Sequence, residues 1–397
     1  MKLSQRVQAI KPSPTLMVTA QAAKLKAEGK NIIGLGAGEP DFDTPRHIKE
    51  SAIVAINNGV TKYTAVGGTP SLKQAVINKF KRENNLDYTS KEILVSSGGK
   101  QSFFNLVLAT IDPGDEVIIP APYWVSYPDI VLIAGGKPVF IPSDIEDGFK
   151  ITPAQLAAAI TPRTRMFVIN SPSNPSGSVY SLTELQALGE VLRPYPDILI
   201  ATDDMYEHIL LSDDKFVNIL DACPDLKART VVLNGVSKAY AMTGWRIGYC
   251  GGPAAIITAM ENIQSQSTSN PNSIAQAAAE TALNGDQSCI IPMITAFKQR
   301  NLFLTDSLNA ISGISCLLSK GAFYAFVDVR AAISRLHKQQ LIAEASDVAF
   351  SAYLLKNAGV AVVPGSAFGS EGYIRLSFAT SMENLRAAVE RISILLN

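Results

Sequence analysis

Long uncharged apolar runs are missing from this chain: nothing in its 397 residues approaches the ~18 that a membrane-crossing helix needs. The opening Met1-Lys2-Leu3-Ser4-Gln5-Arg6 carries no apolar core of a secretory signal. An excess of one charge is missing too. Thirty-five Lys and Arg face 35 Asp and Glu, a formal net charge of 0, which argues against a nucleic-acid or anionic membrane partner. Cysteine is scarce: the four, at 223, 250, 289 and 316, show no C-x-x-C spacing, so neither a disulfide framework nor a zinc cluster is indicated. The three histidines (47, 208, 337) form no metal-binding pattern; they read as surface or packing residues, and no metal is expected. With 27 Gly and 22 Pro the chain has an ordinary globular share of both, which excludes collagen-like and disordered classes. The expectation is a soluble cytoplasmic protein of two or three domains.

What is present is an alternation. Short apolar runs (92–96, 116–120, 138–141, 166–170, 198–202, 230–234 and 247–250) read as strands, with helical patterns between several of them. The unbroken run Asp197-Ile198-Leu199-Ile200-Ala201-Thr202 fits a strand buried on both faces, and Ser181 with Glu184 reads as a capping box opening a helix. Such alternation predicts an α/β fold with a mostly parallel sheet, whose chemistry collects at the carboxyl ends of strands. From about Ala275 a long helical stretch runs to Ser312, followed by strand, helix, strand, strand and helix: a second, smaller α+β unit. The resulting division is an N-terminal arm (1–45) docking on the small unit, a large domain (46–285) and a small domain (286–397). The basic run Lys79-Phe80-Lys81-Arg82, followed by Glu83, reads as a solvated helix end.

Familiar motifs fail. Gly34-Leu35-Gly36-Ala37-Gly38 has the wrong spacing for a dinucleotide loop, and Pro40 follows it. Ser97-Gly98-Gly99-Lys100 matches S-x-x-K, but no K-T-G follows, and no phosphate loop of the G-x-x-x-x-G-K type exists. Polar residues at strand ends remain. Asn174 lies in Asn170-Ser171-Pro172-Ser173-Asn174-Pro175, a rigid turn where Asn is common anyway. Asp203 and Asp204 end an apolar strand; Asp203 could cap a helix, and Asp204 could be solvated. Lys238 follows a third strand, with Arg246 eight residues on. Arg375 interrupts Tyr373-Ile374-Arg375-Leu376, either paired with Glu371 or awaiting an anionic ligand. Together these fit one chemistry: a lysine amine holding an aldehyde cofactor, an aspartate holding its protonated ring nitrogen, and Arg246 with backbone N–H groups holding a phosphate.

Over nearly its whole length the chain resembles the pyridoxal-phosphate aminotransferases of fold type I, and within them the bacterial aspartate aminotransferases of subgroup Ib. The resemblance rests on Ala37-Gly38-Glu39-Pro40-Asp41-Phe42-Asp43-Thr44-Pro45, Thr61-Lys62-Tyr63-Thr64, Gly98-Gly99-Lys100-Gln101, Tyr123-Trp124-Val125-Ser126-Tyr127, Asn174-Pro175-Ser176-Gly177, Ser237-Lys238-Ala239 and Ala241-Met242-Thr243-Gly244-Trp245-Arg246. It implies pyridoxal 5'-phosphate as cofactor, with Lys238 forming the Schiff base and shuttling the proton. Asp203 would pair with the ring nitrogen, Tyr206 and Asn174 with the 3-oxygen, and Trp124 would stack on the ring. Arg246, the backbone around Gly99, Lys100, Gln101, Ser237 and Tyr63 from a neighbouring subunit would complete the cofactor site, which implies a homodimer.

For the substrate, the resemblance implies Arg375 on the α-carboxylate, Gly38, Trp124 and Asn174 around it, Lys100 on a distal carboxylate, and Lys11 at a position linked to prephenate. Two departures stand out. Position 235 is Gly where other subgroups carry a phosphate-binding Ser, and Asp203-Asp204-Met205-Tyr206 replaces the commoner Asp-Glu-Ile-Tyr with its spacing unchanged. The expected reaction moves the amino group of aspartate to 2-oxoglutarate. A lyase or transaminase for aromatic or neutral substrates is the nearest competitor. A non-catalytic regulator on this fold would need a DNA-binding module, for which the residues before Gly38 are too few.

Overall fold

The computed structural model describes residues 2–397. After a short β1 (Ile33–Gly34), the apolar runs form β2 (Ile93–Ser96), β3 (Glu116–Ala121), β4 (Lys137–Pro142), β5 (Thr164–Asn170), β6 (Leu199–Asp203), β7 (Thr230–Gly235) and β8 (Gly248–Gly251). These seven make one sheet in the order β2-β8-β7-β6-β5-β3-β4. All neighbours run parallel except β8, which is antiparallel to both β2 and β7. Alternation within the strands explains why they lack a polar face. Phe167 and Ile169 pack into the core on one side of the sheet, Met166 and Val168 into the core on the other.

Helices cover those faces. The helix Leu182–Leu192 opens on the capping box read from the sequence, with the Ser181 N–H donating to Glu184 Oε2 at 2.7 Å. Because β2, β3, β5, β6 and β7 share a direction, their ends at Ser96, Ala121, Asn170, Asp203 and Gly235 open on one edge of the sheet.

Beyond the sheet, the expected long helical stretch is divided. Helices Ser273–Asn284 and Ile291–Asn309 are separated by Gly285 and a tight turn at Gln287–Ile290. Strands β9 (Ser315–Cys316), β10 (Tyr324–Asp328), β12 (Val363–Pro364) and β13 (Tyr373–Ser377) form an antiparallel sheet. The intervening β11 (Val360–Ala361) pairs instead with β1, tying residues 33–34 to the C-terminal part of the chain. Arg375 sits at the centre of β13, opposite Phe326 in β10 and Val363 in β12. No helix among the described residues is long and apolar enough to cross a membrane.

One expectation fails here. Lys79 does not belong to a solvated helix end: its side chain is 0% exposed. In the helix Pro70–Asn84 it shares the inward face with Leu72, Val76 and Phe80. That face meets Glu207, which pairs with the Lys79 ammonium. Asn84 Oδ1 accepts from Lys79 Nζ at 2.7 Å, while Asn84 and Asn234 each donate to Glu207 at 2.9 Å. Burial acts to raise the Glu207 pKa, but Lys79 and then His208 hold it below its ordinary value. Lys79→Ala would strand a buried carboxylate. It is expected to destabilise the fold by about 3–5 kcal/mol, read as a lowered midpoint in urea unfolding.

Candidate active site

Each strand end delivers one component to the same cleft, a cavity of about 370 Å³. Past β2, the chain turns through Gly98 into the helix Gly99–Thr110. Gly98 has φ +92°, and a Cβ there would stand 2.2 Å from Arg246 Nη2, so only glycine lets the guanidinium lie against this turn. No side chain caps that helix end, which leaves its first N–H groups facing the cleft as anion donors. Arg246 donates to Thr243 O at 2.8 Å and makes no ion pair. Gly235 is equally crowded: a Cβ would sit 3.1 Å from both Ile247 O and Met205 Cε, whereas Ser237 lines the cleft.

At the end of β6, Asp203 accepts from the Met205 N–H at 3.2 Å and from the Tyr127 hydroxyl at 2.5 Å. Burial raises its pKa, against the pull of the Tyr127 hydrogen bond. Asp204 points away and is not solvated: it is 1% exposed, and Thr202 (2.6 Å) and Asn218 (3.0 Å) donate to it. From β5, Asn170 Nδ2 donates to Asp203 O at 2.8 Å and its Oδ1 accepts from the Asn174 N–H at 2.8 Å, so the turn residue is anchored rather than merely tolerated.

Lys238, three residues past β7, donates to the carbonyl of Gly38. Burial, and then the charge of Arg375, push its pKa down to about 8. Tyr206 and Tyr324 share a hydrogen bond between their hydroxyls at 2.8 Å.

Arg375 does not pair with Glu371. It is 2% exposed, donates to Asn174 Oδ1 and Gly36 O at 2.8 Å each, and lies over the rings of Tyr324 (4.4 Å) and Phe368 (4.9 Å). Its Nε has no partner. Lys100 lies over the Trp124 ring at 5.3 Å, its pKa lowered by burial and then by Arg246. Four cations (Lys100, Lys238, Arg246 and Arg375) therefore surround one lining carboxylate, Asp203. None of the four forms an ion pair among the described residues, so the cleft is built for anions.

The cleft gathers Gly38, Gly99, Lys100, Trp124, Asn174, Asp203, Tyr206, Ser237, Lys238, Arg246 and Arg375. Three expected residues lie outside it. Tyr63 is 91% exposed. Gln101 is occupied elsewhere, accepting from the Ser97 N–H at 2.6 Å and donating to Thr268 at 2.5 Å. Lys11 lies beside Asp129. Conversely, Tyr127, Asn170 and Tyr324 have site contacts that the sequence reading gave no role; only their positions after apolar strands or inside a quoted motif hinted at them. Ser13, Thr15 and Leu16 also line the cleft, beyond the reach of strand-end logic.

Fold and cleft are those of an aminotransferase, and the profile of the aminotransferase class I and II family matches residues 30–392; the chain belongs to that family. Its sheet and smaller α+β unit are the type I transferase architecture that the resemblance implied. It is 81% identical, over the full length of both chains, to the aspartate/prephenate aminotransferase of Nitrosomonas europaea. Among solved structures it resembles the aspartate aminotransferase of Rhizobium meliloti (TM-score 0.93, 49% identity, 99% of this chain and 98% of that one). It also resembles that of Thermus thermophilus with maleate (TM-score 0.93, 43% identity, all of both chains).

The depressed Lys238 amine has a direct consequence. Below pH 8 it is mostly the ammonium, and above pH 8 the reactive free base prevails. In protein free of bound aldehyde, labelling of Lys238 by an amine reagent should be half-maximal near pH 8, where an ordinary lysine needs about pH 10.4. Peptide mass mapping across a pH series checks this.

Proposed function

We propose that this enzyme transfers the amino group of L-aspartate to 2-oxoglutarate, giving oxaloacetate and L-glutamate, with pyridoxal 5'-phosphate as cofactor. The observation that carries the reading is Arg375, a buried guanidinium with no carboxylate of its own in a cleft where cations outnumber acids. The residues fit the cofactor. The Gly98 turn, the uncapped helix end and Arg246 offer a phosphate cradle, Ser237 adds a hydroxyl, Lys238 offers an amine for the aldehyde, and Asp203 a carboxylate for the ring nitrogen.

When bound, the cofactor supplies an aldehyde and a cationic ring that takes up the electron pair left at the substrate's Cα. The chain's own groups do the rest. Arg375 holds the α-carboxylate in bidentate fashion and Asn174 steadies the guanidinium, which orients the Cα–H bond. Lys238, poised near neutrality, accepts the Cα proton on Nζ and can give it back. Asp203 keeps the ring nitrogen's proton in place, and Trp124 covers the ring face. Tyr206 and Asn174 are assigned to the 3-oxygen.

Lys100, over the Trp124 ring in the cleft, is assigned to the distal carboxylate. The relative from Thermus thermophilus solved with maleate, a dicarboxylate, supports this choice. We extend the reading to prephenate as a second acceptor. It too carries two carboxylates, and the Nitrosomonas europaea relative is named for both substrates. Lys11, beside Asp129, is assigned to it.

Residues 1–45, 46–285 and 286–397 serve in this reading as arm, cofactor domain and small domain, with the β1–β11 pairing as support for the arm's attachment. The partner is a second copy of the chain, and the compartment is the cytoplasm. In support of the dimer, helix Arg46–Asn57 exposes Ile53, Val54 and Ile56 close to Val60 and the 91% exposed Tyr63. Gln101 steadies the cradle through Ser97 rather than reaching into it.

The purified enzyme is expected to be yellow, to bleach with aspartate and to regain colour with 2-oxoglutarate. Arg375→Ala should lower kcat/KM for aspartate by about 10²–10⁴-fold, the loss of two charge-assisted hydrogen bonds. Bleaching by aromatic amino acids alone would move the assignment to another transaminase. Lys100→Ala should reduce kcat/KM for aspartate by about 10–100-fold while changing that for alanine less than about twofold, because only the distal carboxylate loses its partner. Steady-state kinetics with both substrates tests it.

A further inference from the structure

Among the described residues Asp203 is the only carboxylate lining the cleft, and the chain presents a donor to each of its oxygens. The Met205 N–H, to Oδ1 at 3.2 Å, comes with the turn after β6 and cannot be varied by side chain. The donor to Oδ2 is the hydroxyl of Tyr127, at 2.5 Å, and this is the single hydrogen bond that the hydroxyl makes. Tyr127 comes from a different part of the sheet, the helix Ser126–Ala134 that follows β3. Its ring is 1% exposed and is gripped edge-on by Phe103 (4.9 Å between centroids) and by Trp124 (5.1 Å). A phenol this confined costs free energy unless its hydroxyl is satisfied, and here satisfaction and orientation coincide.

The charged and titratable groups around this contact are few. Tyr127 faces Asp203, with Tyr206 and Asp204 beyond it, and Asp203 in turn feels Lys238.

We propose that Tyr127 is a positioning residue for the transamination reaction: its hydroxyl orients Asp203 and holds it in the carboxylate form that grips the ring nitrogen. The proposal rests on the cofactor reading above and deepens it. Asp203 left to the Met205 N–H alone could rotate about its side-chain bond, and burial favours its neutral form. A neutral acid would hold the ring's proton poorly, and the ring would withdraw less charge from Cα. Substrate binding through Arg375 would be untouched, because Arg375 bonds to Asn174 and Gly36 rather than to this pair. The same Trp124 that is assigned to the ring face also braces Tyr127, so the wall of the site and the grip on Asp203 form one aromatic unit.

Tyr127→Phe in the cofactor-loaded enzyme keeps the ring and its packing and removes the donor. The expected result is a kcat for aspartate reduced about 10–100-fold with KM within about twofold of wild type, as for loss of one hydrogen bond to a charged group. The cofactor's absorbance should titrate with a midpoint displaced upward by about half a pH unit or more, and cofactor should dissociate more readily. Neither readout moves if the residue only fills space. In an Asp203→Asn background the same substitution should have no further effect on the titration, which assigns the change to the pair. Unchanged kcat, titration midpoint and cofactor retention in Tyr127→Phe would overturn the proposal. Should that variant fail to fold, fluorotyrosine at position 127, a stronger donor of nearly the same shape, is to be titrated instead. A midpoint moved downward supports the proposal and an unmoved one overturns it. Failure of the wild-type enzyme to take up pyridoxal phosphate at all would instead defeat the reading on which this one stands.

Discussion

A guanidinium in the protein interior without a counter-carboxylate is expensive, and most of the cleft can be understood as the means of tolerating one. Arg375 is held by two neutral oxygens, of Asn174 and Gly36, and by the faces of Tyr324 and Phe368. Those contacts offset part of the desolvation but supply no charge, and Nε stays unsatisfied. The missing negative charge is thus reserved for a ligand. The same deficit acts on Lys238, where burial and the field of Arg375 favour the free amine. In the proposed reading, a substrate carboxylate on Arg375 cancels that field, so the amine becomes more basic once there is a Cα proton to collect. Binding and proton transfer are in this way coupled through one uncompensated charge.

The sheet is what makes so crowded a cluster of polar groups affordable. Parallel strands buried on both faces have nowhere to place ionisable residues except at their ends. Five of the six strands that point the same way bring their ends together at the cleft. The antiparallel β8 extends the logic, since a strand entering from that edge carries Arg246, two residues before its start, into the cleft. Arg375 and Tyr324 come from the other sheet. Any shift between the two sheets therefore changes the distance between the Arg375 guanidinium and the Lys238 amine.

Legibility in the sequence followed the same division. The seven central strands were readable because burial on both faces writes an unbroken apolar run, and Asp203, Lys238 and Asn174 stood out as the polar residues that end or follow such runs. Lys79 was misread because local charge density says nothing of what the inward helix face meets: Glu207 lies far along the chain. Tyr127, quoted only within its motif, and Tyr324 were given no role, since an aromatic ring reveals the target of its hydroxyl only in three dimensions. Glu371 was a reasonable partner for Arg375 by proximity in sequence, but β13 directs the arginine inward while Glu371 stays exposed. Tyr63 carried no signal of its own beyond its motif.

The neighbouring carboxyls Asp203 and Asp204 show how finely the charge of the cleft is set. Burial raises the pKa of both, and their nearest charges then act in opposite senses. Burial, and then Glu207, push the Asp204 pKa up to about 8, while Thr202 and Asn218 donate to its two oxygens. Lys238 and the Tyr127 hydroxyl pull Asp203 the other way. Two full negative charges at one strand end would offset half of the four cations that the proposed reading assigns to the substrate's carboxylates and the phosphate. In the proposed reading, an upward-shifted Asp204 limits the negative charge at this strand end and leaves Asp203 as the carboxylate assigned to the ring nitrogen. The two side chains part at adjacent positions, Asp203 ending β6 toward the cleft and Asp204 just beyond it toward Thr202 and Asn218.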